Sequence, residues 1–435
     1  MTAAARRKVP LYGLVFAYGI SQLGTSMSGL AIPWLVLVTT GSAARTGLVG
    51  FAEMAPYVTA QAIAGPLVDR AGLRRSCITG NAAAAVLVGA IPGLYALGAL
   101  SIGPLIALVA VAGAVRGAAD AATSPLVPRT ASFGEIPNER AAGLNTVAQR
   151  TGMLTGLPLA GVLIAAAGPG TAVLVDAVTF AAAALLVAAA IPPAAAREAS
   201  GPGADQRADQ DEQLTMRAYL SRLGDGMRFI RADRLIAGIA LMVAVANLLD
   251  IALDSVFVPV WVHSRLHHPS GLGLIGGAMA IGSVAGALAS TWAGHRMPRH
   301  LTYAVGFLLG GSPVFFALAT SASLPPVLVV AALGGLAGGA LNPIIGAVAY
   351  ERVPPGLQAR VLGAFRASAW IGIPFGALLG GALTEGIGLR NALLATGAAM
   401  FVTTLAPFVF PAWRGMNRQP IAGAAVKGDP ERTAR

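Results

Sequence analysis

Apolar stretches of about 20 residues follow one another along nearly the whole chain, separated by short polar or basic connectors. Each is long enough to cross roughly 30 Å of hydrocarbon as an α-helix. In lipid every backbone N–H and C=O must find its partner inside the protein, and a helix satisfies them all within one segment. Composition points the same way. Of the 435 residues 55% are hydrophobic and 11% charged, whereas a soluble domain carries about 25% charged residues. The net charge of +11 sits at the ends of apolar spans rather than on one soluble face, so anionic lipid is the expected partner and nucleic acid is not. A lone cysteine, Cys77, excludes an internal disulfide and argues against a thiolate metal cluster.

Spans are expected near 11–39, 46–67, 76–99, 103–124, 141–167 and 170–191, then near 235–262, 271–293, 301–320, 325–350, 359–384 and 387–411. This is an all-α membrane protein of about twelve helices in two six-helix bundles. Arg6, Arg7 and Lys8 precede the first run as they would in a signal peptide, but the run is too long and has no convincing cleavage site, so it reads as a retained span. Arg6, Arg7, Lys8, Arg70, Arg74, Arg75, Arg129, Arg140, Arg296, Arg299 and Arg352 fall on one side. The connectors at Leu100, Gly168 and Ser323 are nearly free of Lys and Arg. The positive-inside rule then places both termini in the cytoplasm, and the Arg-, Ala- and Gly-rich coding bias fits the inner membrane of a high-GC bacterium.

The domain pattern is a first bundle over 1–192, a linker over 193–234, a second bundle over 235–412 and a disordered tail over 413–435. Within the linker, Ala194 to Gln213 has too little apolar surface to fold alone. Beyond it Leu220, Leu223, Met227 and Ile230 recur at helical spacing while Arg217, Arg222, Arg228 and Arg231 take other faces. That pattern predicts a helix on the membrane surface or an extension of span seven. An internal echo relates the halves: Arg150-Thr-Gly-Met-Leu-Thr-Gly156-Leu-Pro158-Leu-Ala-Gly161 returns as Arg366-Ala-Ser-Ala-Trp-Ile-Gly372-Ile-Pro374-Phe-Gly-Ala377, with Arg, Gly and Pro in register.

Between spans two and three stands Gly65-Pro-Leu-Val-Asp69-Arg70-Ala-Gly72-Leu73-Arg74-Arg75. Its glycines permit a tight turn, Asp69 can face a helix N-terminus, and the arginines can pair with acids or lipid phosphate. The stretch resembles the loop signature of the major facilitator superfamily, with Leu73 where that family usually has a basic residue. Gly294-His295-Arg296-Met-Pro298-Arg299 at the equivalent connector keeps only the basic character. Gly152, Gly156, Pro158 and Gly161 in span five resemble the motif of exporting members, where small residues let helices approach and proline bends the helix. With Arg116-Gly117 and the Leu174-Val175-Asp176 stretch, the first half is similar to the branch of macrolide-efflux and enterobactin-exporter proteins. The resemblance implies alternating access around a central cavity lined by helices one, four, seven and ten, with the loop latching the halves together.

Ionisable groups inside a bilayer are costly and usually face a cavity or a partner. Asn247, Asp250 and Asp254 share one face of span seven and are candidates for proton coupling, together with Glu53 and Asp176. Arg116 and Asp120, four apart in span four, suit an ion pair; Asp120 can alternatively reach the loop around Arg74. Arg150, Asn145, Gln149 and Arg366 either brace spans five and eleven or meet an anionic substrate. Ser21, Gln22, Thr25 and Ser28 of span one and Asn342 of span ten are cavity candidates or interhelical glue. His263, His267 and His268 read as a solvated loop, not a metal site.

Lys8 and Lys427 are the only lysines and neither follows glycine, so the phosphate-binding Gly-Lys loop is absent. No cofactor, metal or enzymatic machinery is expected. The reading is a monomeric secondary transporter that exports a small organic compound (a drug, antibiotic or siderophore-like molecule) in exchange for protons. The alternatives are a symporter that imports a nutrient, and a sensor or scaffold that kept the fold and lost transport.

Overall fold

A computed structural model describes residues 3–197, 216–293 and 297–417. Eleven of its helices are long and apolar enough to cross a membrane among the described residues. In the first half these are Ala3–Thr40, Leu73–Ala96, Ile102–Phe133, Asn138–Ala167 and Pro169–Ala190, which serve as spans one, three, four, five and six. Ala43–Ile63, span two, misses on composition because it carries Arg45, Glu53, Thr59 and Gln61, yet it lies between spans four and eleven and completes the bundle. The second half follows with Arg234–Arg265, Ser270–Ala293, Arg299–Thr320, Leu324–Arg352, Arg360–Ile387 and Leu389–Val409, spans seven to twelve.

Prolines act differently in the two halves. Spans one to five hold Pro33, Pro56, Pro92, Pro125, Pro128 and Pro158 inside unbroken helices. In the second half the helical ladder gives way before proline. Span nine breaks at Gly311 ahead of Pro313 and span eleven at Ile371–Gly372 ahead of Pro374. In span seven Pro259 cannot donate to the carbonyl of Ser255 and would clash with it. The ladder relaxes there into a π turn, Leu253–Phe257, closed by the Val258 N–H on the Leu253 carbonyl.

Both ends of the described chain lie at one end of the bundle, called here the near end. Spans two and four show why the interhelical distances are short: a Cβ on Gly113 or Gly117 would run into the backbone carbonyls of Glu53 and Tyr57.

Two expectations for the polar segments change. The helix before span seven, Met216–Ala232, is separate from span seven rather than an extension of it. It stops at Asp233, which caps span seven by accepting from Leu235 N–H at 2.9 Å. Its apolar side, Leu223, Phe229 and Ile230, packs on Val361 and Ala364 of span eleven, because burying that stripe in protein removes it from water as lipid would. Arg360 reaches Asp225 at 3.3 Å beside it. The tail is also ordered at its start. Trp413 is buried and stacks on Tyr303 at 5.5 Å, and Arg352 bridges Asp233 and the Gly415 carbonyl. The linker's opening residues fold too, with Ala195 buried and Arg129 donating to the Ala196 carbonyl at 3.1 Å. The expected tether over 198–213 and tail over 418–435 lie outside the described residues.

Candidate functional site

The first half encloses a charge cluster. Arg116 is buried in span four and donates to Glu53 Oε1 of span two at 2.8 Å and to Thr25 Oγ1 of span one at 3.1 Å. Tyr57 and Phe180 flank its guanidinium at 5.8 Å and 5.3 Å from their ring centroids. The expected Arg116–Asp120 pair is therefore replaced. Helix spacing puts the two side chains on one face of span four, but the carboxylate 63 residues away supplies the better geometry. Asp120 instead accepts from the Tyr57 hydroxyl at 2.8 Å. Arg74, its other expected partner, donates to the Ile191 and Ala188 carbonyls at the near end of span six.

Asp176 of span six is fully buried beside this cluster, against Gly24 of span one. Thr179 Oγ1 donates to its backbone carbonyl at 2.7 Å and reaches Oδ1 at 3.4 Å. Asp176 Oδ2 and Ser28 Oγ are both buried without a hydrogen-bond partner among the described residues. A small polar recess opens alongside, lined by Ser21, Gln22, Thr25, Asn81, Arg116 and Asp120. Nothing in the sequence near Arg116 names Tyr57, Phe180 or Asn81 as its surroundings. They converge only through the packing of spans one to six.

The second half contributes carboxylates of another kind. Leu241 marks the lipid face of span seven at 68% exposed. At about 100° per residue, Asn247, Asp250 and Asp254 project from the opposite side. Asn247 donates to the Ala369 carbonyl of span eleven at 2.8 Å. Asp254 lies in the π turn and is exposed, Asp250 is half-buried, and neither makes an ion pair or hydrogen bond among the described residues. The π turn touches spans one, two and eleven, so these acids stand where the two halves meet.

That meeting is confined to the far end. Gly161 of span five abuts Gly273 of span eight, and Gly47 of span two abuts Ala377 of span eleven. Phe51 and Phe375 pair at 5.7 Å and Trp34 meets His263 edge-on at 5.6 Å. Glu385 completes the seal from span eleven. Its Oε2 accepts from Ser42 Oγ at 2.9 Å and from the Ala44 N–H at 3.0 Å, capping the N-terminus of span two across the boundary between halves. Sequence reasoning passed over Glu385, since an acid at the end of a span reads as solvated; the helix start at Ser42 was the signal available. Glu385→Ala removes two charge-assisted bonds, about 1–2 kcal/mol at an exposed site. A cysteine at Phe51 in a Cys77→Ser background should then react with an impermeant maleimide about five-fold faster or more from the far side. An unchanged rate would show that the glycine and aromatic contacts hold the seal alone.

Toward the near end the halves part. Arg150 and Arg366 are exposed there. Gln149 donates to the Tyr18 hydroxyl at 3.2 Å, tying span five to span one. Gly152 and Gly156 seat against span one, while Gly161 faces span eight, so the span-five glycines serve two interfaces. Asn145 is half-buried with Oδ1 unpartnered, and Asn342 is exposed just past Gly339–Ala340, where span ten breaks. In the loop after span two, Gly72 adopts a φ of 87°, which a side chain would oppose. Arg74 closes the loop onto span six of its own half; Gly65, Arg70 and Arg75 are exposed and the Asp69 side chain lies outside the described residues. The equivalent connector shares that status at 294–296, while Arg299 pairs with Glu351 at 2.6 Å. His263 and His267 do not form a helical pair, because the helix ends at Arg265 and His267 turns to a φ of 55°.

Two six-helix halves closed at one end, parted at the other, with charge buried inside the first half, define a multi-pass membrane transporter of small molecules. The Major Facilitator Superfamily model matches residues 14–269 and 243–427, and the chain belongs to that family. It is 28% identical over 416 residues to the multidrug efflux pump Tap of Mycobacterium tuberculosis, covering 95% of this chain and 96% of that protein. To Tap of Mycolicibacterium fortuitum it is 27% identical, over 94% and 98%. Among solved structures it is similar to a bacterial homolog of the human lysosomal transporter Spinster in an inward-facing, unoccupied conformation, with TM-score 0.69, 14% identity and coverage of 95% and 99%. The nucleoside transporter NupG aligns with TM-score 0.62 and 14% identity over 92% and 99%. These are transporters, not enzymes.

Proposed function

We propose that the chain is a proton-coupled antiporter that exports small organic, drug-like compounds across a bacterial cytoplasmic membrane, working as a monomer by alternating access. The observation that carries the proposal is likeness, from end to end, to multidrug efflux pumps in a chain whose halves meet over unpaired carboxylates on span seven. With both termini cytoplasmic, as the basic connectors favour, the far-end seal faces outward and the cavity opens to the cytoplasm. Cargo enters from that side. A proton taken up by Asp250 or Asp254 from outside resets the empty carrier, so proton and cargo alternate at one cavity and the ion gradient drives the conformational exchange. The Arg116, Glu53 and Asp176 cluster, with Asp120 beside it, holds the first half together and adds acids within reach of the cavity. Basic groups on the near side, among them Arg70 and Arg75, engage anionic lipid.

The direct measurement is accumulation of a panel of labelled compounds in cells with and without the protein, before and after collapse of the pH gradient. The protein should lower accumulation of some compounds, and collapse should restore it. Raised accumulation that depends on the gradient would indicate symport into the cell; no effect across the panel would leave the fold without export.

A further inference from the structure

Two cations border the cavity without a role in the coupling just described. Arg150 of span five and Arg366 of span eleven hold matching positions in the internal echo, one in each half, and both are exposed. At about 100° per residue Arg150 falls on the same face as Leu157 and Gly161. These meet Gly276 and Gly273 of span eight at the far-end seal. Arg366 precedes the break in span eleven, and beyond that break Ala377 meets Gly47 and Gly50 of span two. Nearer the termini those faces no longer touch the opposite half, as Val147 at 63% exposed marks on span five.

Arg366 also lies within electrostatic reach of Tyr18, the residue that Gln149 bonds, so span eleven's cation lies near spans one and five. Neither arginine has a hydrogen bond or ion pair among the described residues. An unpaired guanidinium at membrane depth is costly, and its planar fork fits a carboxylate or phosphate group. Toward the far end, where the halves meet, stand the acids of span seven, suited to a positive group that would compete with a proton.

Resting on the transport reading above, we propose that Arg150 and Arg366 are ligands for an acidic group of the cargo, and that the preferred cargo is amphoteric. Its cationic part displaces the proton at Asp250 and Asp254, while its carboxylate- or phosphate-like part is held between the two halves.

Rhodamine B and its ethyl ester test this, because they differ only in whether the carboxylate is free. In proteoliposomes with an imposed pH gradient, the wild type should carry rhodamine B with a KM about ten-fold below that of the ester, the margin of one charge-assisted pair. Arg150→Gln and Arg366→Gln should each raise the rhodamine B KM by about ten-fold and leave the ester within about two-fold. Transport of the ester also reports that the variants fold. Equal losses for both dyes would make the arginines closure contacts, and a wild type that carries the ester as well as or better than rhodamine B would overturn the proposal while leaving export standing. A wild type that moves neither dye would remove both readings.

Discussion

Glu53→Gln is expected to destabilise the protein by about 3–5 kcal/mol, the cost of stripping one partner from a buried ion pair. Both side chains are nearly sealed, at 9% exposed for Arg116 and 10% for Glu53. Losing the carboxylate leaves the guanidinium with the Thr25 hydroxyl, two aromatic faces and the neighbouring Asp176. The last keeps the loss toward the lower end of that range. Against a total stability of about 5–15 kcal/mol this is a large fraction, so the apparent Tm of the detergent-purified protein should fall well below wild type. Adding Arg116→Met should recover stability, because replacing both members of a buried pair by apolar groups costs less than orphaning one. A double variant less stable than Glu53→Gln alone would mean that Arg116 holds the spans by contacts other than its charge.

The cluster also shows what a sequence can and cannot display. Spans, halves and the echo are local or periodic, and they are legible from hydropathy and spacing. The likeness of Arg150 to Arg366 and the loop around Gly72 belong to the same class. The partner of Arg116 does not, since i,i+4 spacing offers Asp120 while the fold delivers Glu53 from another span. The linker helix shows the same limit: an amphipathic stripe says that a face must be buried, and only the tertiary arrangement says that span eleven rather than lipid covers it. Glu385 was illegible because its function is to cap a helix that begins 343 residues earlier in the chain. The π turn was not legible either: Pro259 removes the donor to Ser255, but six prolines of the first half lose the same bond inside unbroken helices.

That turn bears on the second large effect. Asp250→Asn with Asp254→Asn is expected to cut pH-driven export by about 5- to 150-fold, the range that follows from losing a coupling free energy of about 1–3 kcal/mol. Two like charges one turn apart repel in a medium of low dielectric, and here no described cation pairs with either. The site therefore changes its energy strongly when a proton or a positive group arrives. Its position makes that change mechanical: the π turn touches spans one, two and eleven, and Ser255 lies against Gly50 inside the far-end seal. Asparagine keeps the shape and removes the charge, so the variant should reach the membrane and, at cargo concentrations that offset the lost charge contact, still exchange labelled for unlabelled cargo with no gradient imposed. Retention of exchange separates lost coupling from lost binding or folding. If the double variant exports against a gradient at the wild-type rate, the coupling proton sits elsewhere, and the buried Asp176 of the first half, with its unpartnered oxygen, becomes the group to replace next.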